Sequence, residues 1–294
     1  MNQKPHPGIV LRALMDQSVV AAPGAFNALV GMAVRDAGFT AAYVSGGATS
    51  VAAGVPDVGL QTLDHFARVV REVVQGSRLP VIADADTGFG EEEMVRRTVL
   101  EYNHAGAAGL HLEDQVFPKR CGHLEGKTLI PLEQAVSKIQ WAVKASHDAS
   151  DGAFIICART DAKGVSGFDA AVDRAKAYVD AGASMVFPEG LATEQEFADF
   201  AKAMDQLGGD RPYLLANMTE FGKTPMLTLE QFGDMGYNIV IYPVSTLRIA
   251  MGAVTRALAE LKDTGTLEGQ LDNMQSRKDL YGLVGYTPGT PWEM

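Results

Sequence analysis

Residues 104–113 read His-Ala-Gly-Ala-Ala-Gly-Leu-His-Leu-Glu, and this stretch decides the fold class. It joins the end of a helical pattern to a short apolar run that stops at an acidic residue. Similar phrases at 36–38, 180–182 and 234–236 also end helical patterns with glycine. Glycine readily adopts the left-handed conformation that commonly follows a helix. The repetition therefore indicates a βα unit that recurs along the chain.

Eight short apolar runs predict eight strands. They cover residues 18–22, 41–44, 80–84, 108–113, 154–159, 185–189, 213–217 and 239–242. Between them, the stretches 63–75, 92–104, 170–180 and 194–204 repeat their apolar residues with the 3.6-residue period of a helix. Because the strands show little alternation of apolar and polar residues, they suit a parallel sheet that is buried on both faces.

Eight such units in one chain predict an α/β fold, a single (β/α)8 barrel of the TIM type. The alternative is an open doubly wound sheet, but no Gly-x-Gly-x-x-Gly motif follows the first strand. No change of composition divides the chain. We therefore expect one domain over residues 1–294, with a helical extension over about 262–294 and a helix at 267–281.

Composition narrows the functional classes. Of the 294 residues, 47% are hydrophobic and 21% are charged, which allows a large core. The formal net charge is −11 and there is no long basic run, so nucleic acids and anionic membrane surfaces are poor partners. Residues 1–8 lack an apolar signal core, and no run reaches the roughly 20 apolar residues of a membrane helix. The two cysteines suit a reducing cytoplasm.

Polar residues collect directly after the predicted strands, where the active sites of barrels lie. In chain order they are Ser45-Gly46-Gly47, Asp84 with Asp86, Glu113, Arg159 with Asp161, Glu189, and Asn217 with Thr219. A barrel with a purely structural role has no reason to gather such groups at these points. Along a strand, residues two apart share a side, so His111 and Glu113 should face the same way, as should Asp84 and Asp86.

Carboxylates that converge on one small volume repel each other unless a cation neutralises them. A ligand set made only of oxygen atoms points to Mg²⁺, or Mn²⁺, rather than Zn²⁺. We expect Asp84 and Asp86 closest to the metal, with Asp57 and Glu113 in support through water. The alternative is that some of these acids cap helices, as Asp commonly does at the end of a βα loop.

Cys121 stands among the basic residues Lys119, Arg120 and His123. Their charges would favour the thiolate, and a thiol that titrates near neutral pH can exchange a proton in a transition state. The alternative is a small buried hydrophobe beside a solvated basic face. Cys157, inside a predicted strand, is expected to serve packing alone.

Three arginines could bind substrate carboxylates, because guanidinium grips a carboxylate at two points. Arg159 is the strongest candidate since it ends a strand. For Arg248 and Arg277 a surface salt bridge is an equal alternative. The turn at 45–47 offers backbone N–H groups to an anion, or is a plain tight turn.

Together these residues resemble the motifs of the isocitrate lyase and phosphoenolpyruvate mutase superfamily. The segment 119–123, Lys-Arg-Cys-Gly-His, is similar to the catalytic loop of its lyases. Further blocks are similar in sequence and order, at 45–47, 84–90, 113–115, 158–162, 187–189 and 217–222. The resemblance runs from about residue 24 to 281, whereas the tail at 286–292 departs from the family pattern.

The resemblance is strongest to the 2-methylisocitrate lyases. It implies Mg²⁺-dependent cleavage of that hydroxy tricarboxylate to pyruvate and succinate. 2,3-Dimethylmalate lyases and oxaloacetate hydrolases share the size, the loop and the metal site, so they stay open as alternatives. Phe187 and Ile241 stand where methylisocitrate lyases place apolar residues around the substrate's methyl group. The family also implies an eighth helix exchanged between subunits, in a homotetramer.

Roles for individual residues follow from the same resemblance. Cys121 would be the catalytic acid, Arg159 would stabilise the oxygen of the pyruvate half, and Tyr43 is a candidate base, with Lys119 and His123 in the same loop. Implied substrate contacts are Ser45, Gly46, Gly47, Cys121, Gly122, Arg159, Glu189, Asn217, Thr219, Arg248 and Arg277. Two other classes remain: a Schiff-base aldolase, which needs a lysine at a strand end, and a barrel that binds a metabolite without catalysis.

Overall fold

Eight parallel strands form the centre of the computed structural model, which describes residues 4–122, 126–222 and 224–292. They are β1 (Val20–Pro23), β2 (Ala42–Val44), β3 (Val81–Asp84), β4 (Gly109–Glu113), β5 (Ile155–Thr160), β6 (Met185–Pro188), β7 (Tyr213–Asn217) and β8 (Ile239–Tyr242). Each overlaps one of the eight predicted strands. The predicted parallel barrel is thereby confirmed.

The strands are hydrogen-bonded in a ring in which β1 follows β8. A single parallel bridge between Gly24 and Tyr43 joins β1 to β2, with the Ala25 N–H donating to the Tyr43 carbonyl at 2.8 Å. The barrel is therefore nearly closed, and this seam is its least hydrogen-bonded joint.

Helices follow the strands along the chain, and a further helix, α1, precedes β1. They are α1 (Pro7–Met15), α2 (Ala28–Asp36), α3 (Gly46–Ala52), α4 (Leu63–Ser77), α5 (Glu92–His104), α6 (Leu132–Ser150), α7 (Ala162–Ser166), α8 (Phe168–Asp180), α9 (Glu194–Asp205), α10 (Leu229–Asp234), α11 (Ser245–Thr264) and α12 (Arg277–Leu283). The repeated glycines that follow α2, α5, α8 and α10 have φ between 87° and 100°. They adopt the left-handed conformation that the sequence predicted.

Strand residues alternate between the outer helices and the barrel interior. Ile82, Cys157 and Phe187 pack inside the ring, together with Leu11 and Met15 of α1, which close its lower end. Because every second residue points inward, this register also turns the polar groups that end the strands toward the barrel axis.

The C-terminal segment departs from the prediction of one helix over 267–281. A 3₁₀ helix (Glu268–Asn273) is followed by a break and then by α12. Ser276 starts the new helix, because its side chain accepts from the Asp279 N–H while the Asp279 side chain accepts from the Ser276 N–H. Within the described part of the chain, no helix is long and apolar enough to span a bilayer.

Candidate active site

The carboxyl ends of the strands surround a cavity of about 130 Å³. Most of the side chains singled out in the sequence line it: Tyr43, Ser45, Gly47, Asp57, Asp84, Cys121, Gly122, Arg159, Glu189, Asn217, Thr219 and Arg248. A larger groove of about 740 Å³ lies beside the first turns of α4 and α6. Neither Cys121 nor Arg159 is among the described residues that line this groove, so we place the chemistry in the smaller cavity.

Two acidic residues lie at the end of β3 and just after it: Asp84 lines the cavity, whereas Asp86 lines the larger groove. Asp84 accepts hydrogen bonds from the backbone N–H groups of Gly46 (3.0 Å) and Asp86 (2.9 Å). A Cβ atom at position 46 would lie 2.5 Å from Asp84 Oδ2 and 3.2 Å from Asp86 Oδ1. Glycine at this position therefore makes room for both carboxylates. The predicted anion-binding turn at 45–47 is the start of α3, and its Gly46 N–H is already taken by Asp84.

Lys119 reaches into this group of acids from the cysteine loop, a name that we use for the described residues 117–122 and 126–127 between β4 and α6. Its Nζ lies 2.8 Å from Asp86 Oδ1 and also contacts Asp57 Oδ1, and its side chain is 2% exposed. Burial lowers the pKa of Lys119, but Glu113, Asp86 and the other acids outweigh it and raise this pKa well above its usual value. Lys119 is thus paired with carboxylates, and its effect on Cys121 stays a prediction.

The residues present fit a divalent cation. The described residues place seven carboxylates in or against the cavity but only four cationic groups, those of Lys119, Lys127, Arg159 and Arg248. Neither oxygen of Glu113 accepts a hydrogen bond from the described residues, and burial raises the pKa of Asp86 to about 6. No three described His, Cys, Asp or Glu side chains form a ready-made cage. A divalent cation at this position would therefore take only part of its ligands from the protein and keep several waters.

Arg159 lies at the end of β5 among three carboxylates. Asp161 holds it at two points, with Nε–Oδ2 at 2.9 Å and Nη2–Oδ1 at 3.2 Å. Glu113 lies 3.2 Å and Glu189 3.6 Å from the same guanidinium group. Burial lowers the pKa of Arg159, but these acids raise it well above the usual value, so the side chain stays charged. The result is an oriented cation facing the cavity.

Below the acids lies a layer of buried rings. Tyr43 Oη and His111 Nε2 are 2.7 Å apart, and the two rings stack with centroids 5.7 Å apart. Phe187 packs edge-on against His111, and the Arg159 guanidinium lies over Phe187 at 5.2 Å. Burial raises the pKa of Tyr43 well above its usual value. Its hydroxyl therefore keeps its proton at neutral pH, which argues against Tyr43 as an anionic base.

The cysteine loop lies directly over the site. A Cβ atom on Gly122 would come within 2.5 Å of both Arg159 Nη2 and Glu189 Cγ, so only glycine allows this approach. Cys121 is half-buried and lines the cavity, whereas Cys157 is fully buried inside the barrel. His123, predicted to act in the same loop, lies outside the described residues.

The other two predicted arginines differ in position. Arg248 lines the cavity and donates to Thr219 Oγ1 (3.1 Å) and Glu220 Oε2 (3.0 Å). Its guanidinium also lies over the exposed ring of Phe221. Arg277 is exposed at the start of α12 and does not line the cavity of its own chain.

The contacts of two residues at the site were not predicted from the sequence. Asp161 was expected at a strand end, but not its pairing with Arg159, which stands two residues earlier in β5. Lys127 received no role, yet its Nζ lies 2.7 Å from Asp161 Oδ1. The Lys-Arg-Cys-Gly-His segment alone gave no signal for this contact, which depends on the path of the cysteine loop.

Comparisons with known proteins agree with the geometry. The family described as phosphoenolpyruvate phosphomutase matches residues 11–262. The chain is 50% identical over 274 residues to a probable 2-methylisocitrate lyase of Corynebacterium glutamicum, covering 93% of this chain and 87% of that one. It is 47% identical over 281 residues to a 2-methylisocitrate lyase of Aeropyrum pernix, covering 95% and 88%.

Solved structures share the fold over nearly the whole chain. An oxaloacetate acetylhydrolase matches with a TM-score of 0.89 and 31% identity over 96% of this chain and 94% of that one. A 2,3-dimethylmalate lyase matches with a TM-score of 0.88 and 34% identity, covering 97% of this chain and 93% of that one. A phosphonopyruvate hydrolase solved with oxalate and Mg²⁺ matches with a TM-score of 0.83 and 29% identity, covering 96% of this chain and 95% of that one.

Proposed function

Since the chain belongs to the phosphoenolpyruvate mutase and isocitrate lyase superfamily, we propose that it cleaves 2-methylisocitrate to pyruvate and succinate. This reaction would place it in propionate catabolism. The enzyme class is that of a carbon–carbon lyase, the class named for relatives that share about half of its residues. One observation carries the proposal: Gly122 of the cysteine loop packs against Arg159 and Glu189, so Cys121 shares one small cavity with Asp57 and Asp84. We call Asp57, Asp84, Asp86 and Glu113 the acid cluster.

The proposed metal ligands are Asp84 and Asp86, with Asp57 and Glu113 acting through water. The phosphonopyruvate hydrolase solved with Mg²⁺ supports the choice of metal, with Mn²⁺ as a substitute. When bound, Mg²⁺ would lower the pKa of the substrate hydroxyl and neutralise the developing charge on its oxygen. Lys119 would hold Asp57 and Asp86 in place from the side of the loop.

In the proposed reaction the substrate hydroxyl gives its proton to solvent water, and its oxygen becomes the ketone oxygen of pyruvate. The bond between the carbinol carbon and the adjacent CH breaks, and its electron pair goes to the CH carbon, beside a carboxylate. Cys121 donates a proton to that carbon, which completes succinate. Arg159 stabilises the oxygens of the pyruvate half, because it is charged and already oriented by Asp161.

Tyr43 keeps its proton, so it would hold the substrate hydroxyl by a hydrogen bond rather than remove its proton as a phenolate. Around it, Ser45, Gly47, Gly122, Asn217, Thr219 and Arg248 would bind the remaining carboxylates. The cysteine loop would exclude water from the carbanion before it is protonated.

The apolar wall bears on the choice of substrate. Phe187 and Ile241 are both buried and both line the cavity. They offer a surface for the methyl group that distinguishes 2-methylisocitrate from isocitrate. One methyl group is worth only about 1–3 kcal/mol in such a pocket. The structural likeness to a 2,3-dimethylmalate lyase and to an oxaloacetate acetylhydrolase therefore keeps those two reactions as second candidates.

We also propose that the protein works as a homotetramer in the cytoplasm. Along α11 only Leu247 is buried, while Ile249, Met251 and Leu258 are exposed. An apolar helix that finds little cover on its own barrel supports exchange of the eighth helix between subunits. Neither cysteine forms a disulfide, in keeping with a reducing compartment.

The Schiff-base alternative is weakened by the surroundings of the lysines. An amine must lose its proton to attack a carbonyl, but the acids around Lys119 raise its pKa well above the usual value. Borohydride trapping with substrate would reveal such a lysine. A barrel that binds without catalysis would retain ligand and show no turnover.

The decisive assay measures pyruvate release with Mg²⁺ from 2-methylisocitrate, isocitrate and 2,3-dimethylmalate, with oxaloacetate hydrolysis followed separately. We expect pyruvate mainly from 2-methylisocitrate, and none in the presence of a chelator. Preference for dimethylmalate or oxaloacetate would overturn the substrate assignment but keep the class of site. No turnover on any of the four would overturn the proposal.

A further inference from the structure

The segment from Asp86 to Gly90, which we call the β3–α5 turn, carries one of the proposed metal ligands. Its backbone has positive φ at four of its five positions: 45° at Asp86, 94° at Gly88, 59° at Phe89 and 155° at Gly90. Glycine adopts such angles readily, whereas the side chains of Asp86 and Phe89 resist them sterically. A backbone conformation of this kind persists only where the surrounding structure imposes it.

Lys138, on α6, holds two points of this turn. Its Nζ donates to the carbonyl of Gly90 at 2.8 Å and to the carbonyl of Thr87 at 3.3 Å. The lysine side chain is 6% exposed, and the carboxylate of Glu91, 3.6 Å from Nζ, belongs to a side chain that is 61% exposed. A buried ammonium group is costly unless polar partners surround it. Here the backbone carbonyls of the turn supply the buried partners.

The position of the turn affects the neighbouring acids directly. The backbone N–H of Asp86 donates to Asp84 Oδ1 at 2.9 Å, and the Asp86 carbonyl accepts from the Glu113 N–H at 3.0 Å. Lys119 contacts the carboxylate of Asp86, whereas Lys138 holds the backbone that carries it. A displaced turn would therefore move Asp86 and disturb its hydrogen bonds to two other members of the acid cluster.

We propose that Lys138 is a positioning residue, whose ammonium group holds the β3–α5 turn in its positive-φ conformation and thereby presents Asp86 to a divalent cation. The cation site rests on the proposed function, whereas the hold on the turn does not. Lys138 touches neither substrate nor reacting atoms in this scheme. It acts through the carbonyl groups of Thr87 and Gly90.

The Mg²⁺ affinity of the substrate-free protein separates positioning from simple electrostatics by the sign of the change. Removal of a positive charge near a cation site should tighten cation binding by Coulomb's law. Loss of positioning should weaken it instead. In isothermal titration we expect Lys138→Met to bind Mg²⁺ about tenfold or more weakly than the wild type, as for residues that orient metal ligands. A smaller loss, or tighter binding, would overturn the proposal.

Lys144→Met is the matched control, because Lys144 is exposed on the same helix. It removes the same charge from a solvated position, so Mg²⁺ affinity should stay within about twofold of the wild type. A loss equal to that of Lys138→Met would overturn the proposal. If Lys138→Met does not fold, Lys138→Gln, which keeps a donor for one carbonyl, takes its place. A loss of less than about threefold would then count against the positioning role.

Hydrogen exchange examines the turn itself, without metal or substrate. The Gly88 N–H donates to the Ala85 carbonyl at 2.8 Å, so its exchange reports local opening of the turn. In Lys138→Met we expect peptides that cover residues 84–91 to exchange about tenfold or more faster, while those of α8 keep their rate. Unchanged exchange in the turn, or equal acceleration in α8, would contradict a local hold by Lys138.

Turnover separates this proposal from the proposed function. Mg²⁺ binding that weakens in Lys138→Met, with no pyruvate from the wild type, would support the positioning role and overturn the lyase assignment. Pyruvate release by the wild type, with the same Mg²⁺ affinity in Lys138→Met, would do the reverse. If both proposals hold, Lys138→Met should need more Mg²⁺ for half-maximal turnover and should recover most of kcat when Mg²⁺ is saturating.

Discussion

Tyr43 Oη and His111 Nε2 lie 2.7 Å apart at the centre of the barrel and share a hydrogen bond, whose direction depends on which ring nitrogen carries the hydrogen. Burial lowers the pKa of His111 to about 4, so the ring is neutral at neutral pH. The other ring nitrogen, Nδ1, lies 3.7 Å from Asp84 Oδ1, and an Nδ1–H facing this carboxylate would leave Nε2 to accept from the Tyr43 hydroxyl. In that tautomer the tyrosine oxygen keeps a lone pair for a substrate hydroxyl.

Removing that hydroxyl should affect both stability and turnover. Tyr43→Phe leaves Nε2 of His111 without a donor, which should cost about 1–3 kcal/mol in the free energy of unfolding. We expect kcat to fall by about tenfold or more, or roughly 1.4 kcal/mol. Urea denaturation and steady-state kinetics measure the two effects. Tyr237→Phe, which removes a buried hydroxyl far from the cavity, is the matched control and should keep full turnover.

The two cysteines should respond in opposite ways to substitution. Cys121→Ser removes the proposed proton donor, so kcat should drop by about 10²–10⁴-fold. Cys157→Ala should keep turnover and lower only stability, because that side chain packs inside the barrel. Pyruvate release and thermal melting compare the variants. Near-normal turnover in Cys121→Ser would rule out this thiol as the acid.

The acid cluster should control metal affinity. Asp84→Asn replaces a proposed direct ligand, while Asp57→Asn replaces one that acts through water. We expect the first to weaken Mg²⁺ binding more, and the second to weaken it by about 10–100-fold, as for residues outside direct coordination. Isothermal titration with Mg²⁺ reads affinity independently of turnover. Equal affinity in all three proteins would remove the metal from this wall.

Asp161 should make stability depend on pH in a defined direction. Burial alone would raise its pKa, but Arg159 and Lys127 outweigh burial and hold it at about 2. Because the folded-state pKa lies below the unfolded one, the carboxylate stabilises fully above about pH 5, and this is lost as pH falls toward 2. The gap in unfolding free energy between wild type and Asp161→Asn should therefore be constant from pH 7 to 5 and narrow below 4. A gap that widens on acidification would contradict the ion pair.

Glu220 occupies Arg248 in this structure, and a substrate carboxylate would have to compete with it. The arginine is 41% exposed, and exposed pairs are worth only about 0–1 kcal/mol. Glu220→Gln should therefore lower KM by at most about fivefold, with kcat unchanged. Arg248→Gln should raise KM instead. Steady-state kinetics on the pair of variants decides; a higher KM in Glu220→Gln would show that the glutamate helps binding.

The fold and the positions of the polar residues at the strand ends could be predicted from the sequence for one physical reason. Buried parallel strands are short apolar runs, and their ends are the points where polar groups such as Asp84 and Arg159 must follow. The partners of Lys119 and Lys127 could not be predicted, because they depend on how a long loop folds back over the barrel. The prediction of one helix over 267–281 was wrong, because Ser276 caps a separate helix that begins after a break. The spacing of apolar residues does not reveal such a break.

The tight seat of Gly122 has a consequence for redesigning this enzyme. A side chain at position 122 would collide with Arg159 and Glu189, so this point in the roof of the cavity must remain glycine. Mutational libraries aimed at new substrates are better directed to Phe187 and Ile241 on the apolar wall. Selectivity can there be varied by side-chain volume, while the closing surface and its chemistry are inherited unchanged.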